Sequence, residues 1–174
     1  VRRATRQLAV ATAYREVSRQ LGLTVDTRGV SLHGLLGGRR IWVGDVMLGH
    51  GAQRRTEVRG VLGLRFPLGL GLEIQRARRR LSSRVSLGDD LDRLLVATGD
   101  DPDRVTLLCT PAVRQALLGV VKRWPDLRVS DTELRVDLGN PETGAEGLGT
   151  LVQALTELAA ALEAARDEVP APDA

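Results

Sequence analysis

Short segments of alternating residues that flank a Gly-Gly turn are the feature that most constrains this fold. Apolar residues alternate with others on both sides of Gly37-Gly38. A two-residue hairpin turn needs positive φ at both central positions, and glycine adopts that conformation at little cost. Counting back from the turn places His33 opposite Trp42. The same register places Leu32 opposite Val43, so the sequence predicts an antiparallel pair here.

Further strands follow the same pattern of short alternating runs. They are predicted at 54–64, 68–74 and 94–98, with a C-terminal hairpin at 127–130 and 134–138. Hairpin connections join most of these segments. We therefore expect one mostly antiparallel sheet of about eight strands, counting the hairpin.

Helices are predicted before, between and after these strands. Their ranges are 3–21, a short helix after Asp101-Pro102, 111–124 after Thr110-Pro111, and about 144–166 after a capping box of Thr143 and Glu146. Each begins at a residue type that caps helices or ends at one that stops them. The order predicts an α+β fold with helices layered on one face of the sheet. Residues 1–168 form one domain in this reading, and 169–174 form a flexible tail.

Charge is divided between the two halves of the chain. Residues 1–84 hold 17 Arg and 5 acids, which is +12, and residues 85–174 hold 8 basic residues and 17 acids, which is −9. Such asymmetry indicates either a basic surface that meets an anionic partner or two halves that attract each other. A composition of 24 Arg and one Lys also fits GC-rich coding, which does not explain why the Arg residues gather in the first half.

The residues predicted to contact an anionic surface are Arg side chains of the first helix and of the loop after residue 75. They are Arg6, Arg15, Arg19, Arg76, Arg78, Arg79, Arg80 and Arg84. Such a set could neutralise several phosphates of a lipid surface or a nucleic acid. The alternative is a solvated loop. Only four aromatic residues are present, which weakens the case for stacking on bases.

No catalytic, cofactor-binding or metal-binding residue is assigned. His33 and His50 are the only histidines, and no nucleophile and acid are marked beside either. The pairs Asp90/Asp92 and Asp101/Asp103 have cation-ligand spacing but read better as turn and cap residues. The lone Cys109 reads as an inert apolar side chain, and neither glycine fingerprint for nucleotides occurs.

Several short stretches carry a resemblance to a known group of proteins. They are Gly38–Ile41, Pro67–Leu70, Gly88–Arg93, Asp101–Arg104, Leu107–Arg114 and Val129–Asp131, with the hairpin and long helix that follow. Together they resemble a family of uncharacterised bacterial domains that often follow one or two transmembrane helices. The resemblance implies a membrane-tethered cytoplasmic domain and carries no catalytic residues. No run of 18 apolar residues occurs within the chain itself.

These observations favour a non-enzymatic module that binds a protein partner or an anionic lipid surface. The expected location is the cytoplasm or the inner face of the cell membrane. A nucleic-acid-binding domain that uses the Arg-rich half is the alternative, and an enzyme with a histidine in a pocket is the third hypothesis. No cofactor is expected.

Overall fold

Antiparallel pairing joins eight strands into one sheet, which confirms the predicted α+β class. The computed structural model describes residues 2–26, 31–49, 55–77, 85–138 and 144–170, and only the backbone of residues 2–10 and 55. The helices are α1 (Arg2–Leu21), α2 (Asp89–Asp92), α3 (Pro102–Leu108), α4 (Pro111–Arg123) and α5 (Ala145–Glu168). The strands are β1 (Thr24–Asp26), β2 (Ser31–Leu36), β3 (Arg39–Leu48), β4 (Arg55–Gly63), β5 (Glu73–Arg76), β6 (Leu95–Thr98), β7 (Leu127–Ser130) and β8 (Glu133–Asp137).

The first hairpin has the predicted register. Gly37 and Gly38 have φ values of 56° and 80°. His33 pairs with Trp42 across β2 and β3. The turn residues therefore set which side chains share each face of the sheet.

Strands from the two ends of the chain meet in the middle of the sheet. The order is β1-β2-β3-β4-β8-β7-β5-β6, so β4 pairs with β8 rather than with β5. The C-terminal hairpin is thereby inserted between two strands of the N-terminal half. This insertion brings the basic half of the chain against the acidic half.

The described helices pack on one face of this sheet and share one core with it. Tyr14 and Val17 of α1 are fully buried there, as is most of one side of α5. Gly60 in β4 permits a close approach of α5, because a Cβ at this position would lie 3.1 Å from the Leu151 side chain. We call this side of the sheet the covered face.

The two predicted Pro-started helices begin with the expected caps. The Asp101 carboxylate accepts hydrogen bonds from the amides of Asp103 and Arg104, both at 3.1 Å. The Thr110 hydroxyl accepts one from the Val113 amide at 3.3 Å. These caps satisfy amides that have no partner inside the helix.

The last helix starts differently from the prediction. Its N-cap is Gly144, and no side-chain cap hydrogen bond is made there. The predicted cap, Thr143, lies outside the described residues. The helix also runs to Glu168 rather than to residue 166.

The strand predicted at 68–74 is wrong for most of its length, since β5 begins only at Glu73. Gly69 and Gly71 have φ values of 69° and 58°, which no strand residue adopts. The Asp131 carboxylate accepts hydrogen bonds from the amides of residues 70–72 at 2.8–3.3 Å. An acceptor from the β7–β8 turn therefore replaces the strand ladder.

Candidate functional site

The second face of the sheet is the candidate site, because the described helices contribute their buried residues to the core on the other face. Strand alternation places Val58 and Leu62 in the core, whereas Arg59 and Val61 between them are half-buried on the opposite side. We call that side the uncovered face because the described helices pack on the other one, although Ser31, Glu57 and Val96 on this side are buried. Its main members are His33, Leu35, Trp42, Val46, Glu57, Arg59, Val61, Gln75, Arg128, Arg135 and Asp137.

A charged cluster lies at the centre of the uncovered face, where β4 meets β8. Arg59 is directly opposite Asp137 in the register, and its Nε lies 2.5 Å from Oδ1 of that carboxylate. Arg135 donates from Nη2 to the second carboxylate oxygen at 2.9 Å. Asp137 is therefore shared between two guanidinium groups.

The electrostatics of the cluster favour the ionised carboxylate. Burial of Asp137 acts to raise its pKa. Hydrogen bonds from Arg59 and Arg135, together with their positive charges, outweigh burial and lower the pKa below its ordinary value. The cluster consequently remains zwitterionic at neutral pH.

Arg135 of this cluster also faces a second arginine, on the neighbouring strand β7. Arg128 of β7 pairs in register with Arg135 of β8. Like charges directly opposite on neighbouring strands destabilise a sheet. The Arg135 Nε is buried and makes no hydrogen bond within the described part of the chain. The pair therefore has an unused donor and an excess of positive charge.

Cavities lie on both sides of the Arg128–Arg135 pair. One of about 260 Å³ and one of about 110 Å³ both include these two side chains in their walls. The larger cavity is lined by charges of both signs. Its basic residues are Arg59, Arg76, Arg128 and Arg135, and its acidic residues are Glu57, Asp126 and Asp137.

The other half of the uncovered face is less polar. The Trp42 indole lies over Gly44, since a Cβ at that glycine would be 2.7 Å from the ring. His33 is exposed beside Trp42, and Leu35 is 67% exposed. An aromatic platform thus adjoins the charged cluster on one continuous sheet surface.

The described members of the predicted contact set lie on two sides of the sheet. Arg15 and Arg19 are exposed on α1, which packs on the covered face. Arg76 lies at the end of β5 and forms an ion pair of 3.3 Å with Asp126 at the rim of the larger cavity. The Arg6 side chain and residues Arg78, Arg79, Arg80 and Arg84 lie outside the described residues. Contact of this set with an anionic surface stays a prediction.

Part of the charge division is matched inside the molecule. Arg39, Arg59 and Arg76 from the basic half pair with Glu163, Asp137 and Asp126 from the acidic half. The first pair is bidentate, with distances of 3.0 and 2.6 Å. Attraction between the halves therefore accounts for some of the asymmetry that the sequence shows.

Sequence reasoning did not select the Arg128–Arg135 pair. The signal was present in part, because Leu134 and Val136 alternate with Arg135 and Asp137. That alternation indicates a polar face. It does not reveal that β8 lies between β4 and β7, which is what brings Arg128 and Arg59 to its two sides.

The residues considered for catalysis have other surroundings. The His33 side chain makes no hydrogen bond among the described residues, and His50 lies outside them. Cys109 is buried, and burial raises the pKa of its thiol to about 11, with a lowering effect of Arg114 and a raising effect of Asp92. The described residues contain no cluster of three or more acidic, His or Cys side chains that could hold a metal.

One acidic residue of each pair with cation-ligand spacing, Asp92 and Asp101, has structural partners. Asp92 accepts hydrogen bonds from the Ser86 hydroxyl and the Leu87 amide, both at 2.7 Å. Asp101 caps α3. Both carboxylates are therefore explained by the local backbone.

Among the described helices, α5 is long and apolar enough to cross a membrane. Helices α3 and α4 meet the same criteria only when they are counted together as one span, bent by 81°. In this fold α5 instead lies on the sheet with eight buried residues. A core helix passes the same test of length and hydropathy. The helix alone thus gives weak support to a membrane association.

No family model and no curated protein matches the sequence. Among solved structures, the chain is similar to the mycobacterial trehalose monomycolate transport factor A, TtfA, with a TM-score of 0.62 and 7% sequence identity. The match covers 88% of this chain and 94% of that chain. The two proteins share a fold, and at this identity the likeness extends to the fold alone.

Proposed function

We propose that this protein is a non-enzymatic interaction module that docks a partner protein on the uncovered face of its sheet. The Arg128–Arg135 pair carries the proposal. It combines opposed like charges, a buried donor without a described partner, and cavities on both sides. A partner's carboxylate in one of these cavities would offset the two opposed positive charges, so the proposed occupant is an acidic segment.

The pattern of charge favours a protein over a membrane or a nucleic acid. The larger cavity is lined by four arginines and three acids. A lipid surface or a phosphate backbone is uniformly negative, and acids at such a contact would be repelled. A protein segment can place an acid against each arginine and avoid the carboxylates.

The less polar half of the uncovered face supports the same function. Trp42 lies on β3, next to the strand that carries Arg59, and Leu35 lies on β2, one strand farther away. Aromatic and arginine side chains dominate the energetics of protein interfaces. Trp42 would anchor the partner, and the arginine pair would set its register.

The neighbouring structure is compatible with this proposal. That protein is a transport factor, and a non-enzymatic module is compatible with such a role. The resemblance to membrane-tethered bacterial domains supports a position at the inner face of the cell membrane. We propose that location without assigning a transported substrate.

The test is a binding titration with defined probes at low and moderate salt. A labelled peptide of alternating Glu and Val is compared with its Lys/Val counterpart, with phosphatidylglycerol vesicles and with duplex DNA. We expect the acidic peptide to bind most tightly of the four probes. The R128Q/R135Q variant should bind this peptide about tenfold more weakly or worse.

A matched control keeps the charge change constant. R15Q/R19Q removes two exposed arginines from α1 and should leave peptide binding unchanged. Loss of binding in this control but not in R128Q/R135Q would transfer the contact to the predicted basic helix. Equal or better binding of vesicles or DNA would favour the membrane or nucleic-acid alternative and overturn the proposal.

A further inference from the structure

We infer a second docking site, separate from the proposed function above: the groove between α1 and the first half of α5 binds a basic amphipathic helix of a partner. The groove measures about 660 Å³. This lies within the range of about 300–1,000 Å³ typical of binding cavities. It is on the helical side of the molecule, so the sheet separates it from the Arg128–Arg135 pair.

The floor of the groove is apolar and carries few large side chains. Leu21, Leu36 and Val152 supply its larger apolar groups. Gly149 lies in the lining, and a Cβ added there would meet no described atom within 4 Å. A glycine inside a helix costs stability relative to most residues, yet at this position it keeps the groove open.

The rim of the groove carries charge of one sign. Glu16, Glu146 and Glu157 line it, and no basic side chain does among those that the structure describes. This contrasts with a chain that contains 25 basic residues. Glu146 also lies in the first turn of α5, where the helix dipole stabilises a negative charge. The rim is therefore complementary to Lys or Arg side chains.

Walls formed by two helices and an apolar floor favour a helix as occupant. Helices pack into the groove between neighbouring helices, with apolar residues at spacings of three and four on the buried side. Lys or Arg on the flanks of such a helix would reach the three glutamates. An extended peptide would leave unpaired backbone groups over the apolar floor.

The experiment uses a labelled peptide with Leu at i, i+3, i+4 and i+7 and Lys elsewhere, and a scrambled peptide of the same composition. The key variant is Gly149→Leu, whose larger side chain would occupy the open space of the groove. Its matched control is Gly147→Leu, two residues earlier in the same helix, where an added Cβ also meets no described atom. Gly147 does not line the groove.

We expect micromolar binding of the amphipathic peptide, at least tenfold weaker binding to Gly149→Leu, and unchanged binding to Gly147→Leu. Glu16→Gln/Glu157→Gln should weaken binding severalfold and reduce its salt dependence. R128Q/R135Q should have no effect, which separates this site from the uncovered face.

Several outcomes would overturn the inference. Equal binding of the scrambled peptide would indicate a nonspecific charge effect. Unfolding of Gly149→Leu at a lower temperature than Gly147→Leu would show that the chain itself fills the groove. Loss of a dimer in Gly149→Leu, measured by sedimentation, would identify a second copy as the occupant.

Discussion

The two faces of the same strands differ in burial and in charge. In β8, Leu134 and Val136 are fully buried on the covered face, whereas Arg135 and Asp137, which alternate with them, are half-buried and charged. Burial of apolar area stabilises the first face in proportion to area. The second face holds ion pairs whose net contribution is small because water competes for them. Stability therefore resides mainly on one face, and recognition is proposed for the other.

The largest contrast should come from adjacent positions in β8. Leu134→Ala removes a fully buried side chain and should lower the free energy of unfolding by about 3–4 kcal/mol. Arg135→Gln, one residue later, should change it by less than about 1 kcal/mol. Urea unfolding of both variants measures the difference. Equal losses would mean that the uncovered face is as important for stability as the core.

A charged pair on the covered side is the exception that tests this division. Arg39 is 5% exposed, and Glu163 accepts from its guanidinium and from the Arg65 amide at 2.8 Å. Glu163→Gln would leave a buried positive charge without its counter-charge, at a loss of about 2–3 kcal/mol. Glu163→Asp serves as the control that keeps the charge. An unchanged unfolding midpoint in Glu163→Gln would contradict this role.

The Glu163 pair should also make stability depend on pH. Burial acts to raise the pKa of Glu163, but the hydrogen bond and charge of Arg39 and the Arg65 amide lower it below its ordinary value. In the acid range the unfolded chain therefore binds more protons at this site than the folded chain. The stabilisation is present above the ordinary glutamate pKa and is lost as pH falls through the lowered one. Urea unfolding from pH 6 to pH 3 should show this slope, and Glu163→Gln should flatten it.

The opposed arginines give a smaller effect of opposite sign. Arg128→Gln removes one of two like charges that face each other across β7 and β8. We expect the free energy of unfolding to rise by about 0.2–1 kcal/mol while acidic-peptide binding falls. Arg40→Gln, at an exposed position on the same face, is the control. A loss of stability in Arg128→Gln would show that the pair is structural.

The smallest change is expected inside the core. The Tyr14 hydroxyl is buried and makes no hydrogen bond within the described ranges, and burial with the charge of Asp45 raises the pKa of the phenol. Tyr14→Phe should therefore leave stability unchanged or slightly higher. Thermal unfolding measures this. A loss above about 1 kcal/mol would reveal a partner for the hydroxyl.

Local chemistry was readable from the sequence. The Gly37-Gly38 turn, the register of His33 with Trp42, and the caps at Asp101 and Thr110 all depend on residues a few positions apart. The strand predicted at 68–74 failed because alternation of Leu with Gly looks like a strand. The chain there follows left-handed glycines held by Asp131, some 60 residues away.

By itself, the sequence determined most of the element types outside residues 68–72, the alternation within the strands and the charge of each half. These follow from side chains acting on their own backbone and on near neighbours. Only the tertiary structure decided that β8 lies between β4 and β7, and hence which charges meet. Strand order is set by the joint burial of apolar faces over long chain separations, for which no local signal exists. The arginine pair and the helical groove both arise from that packing.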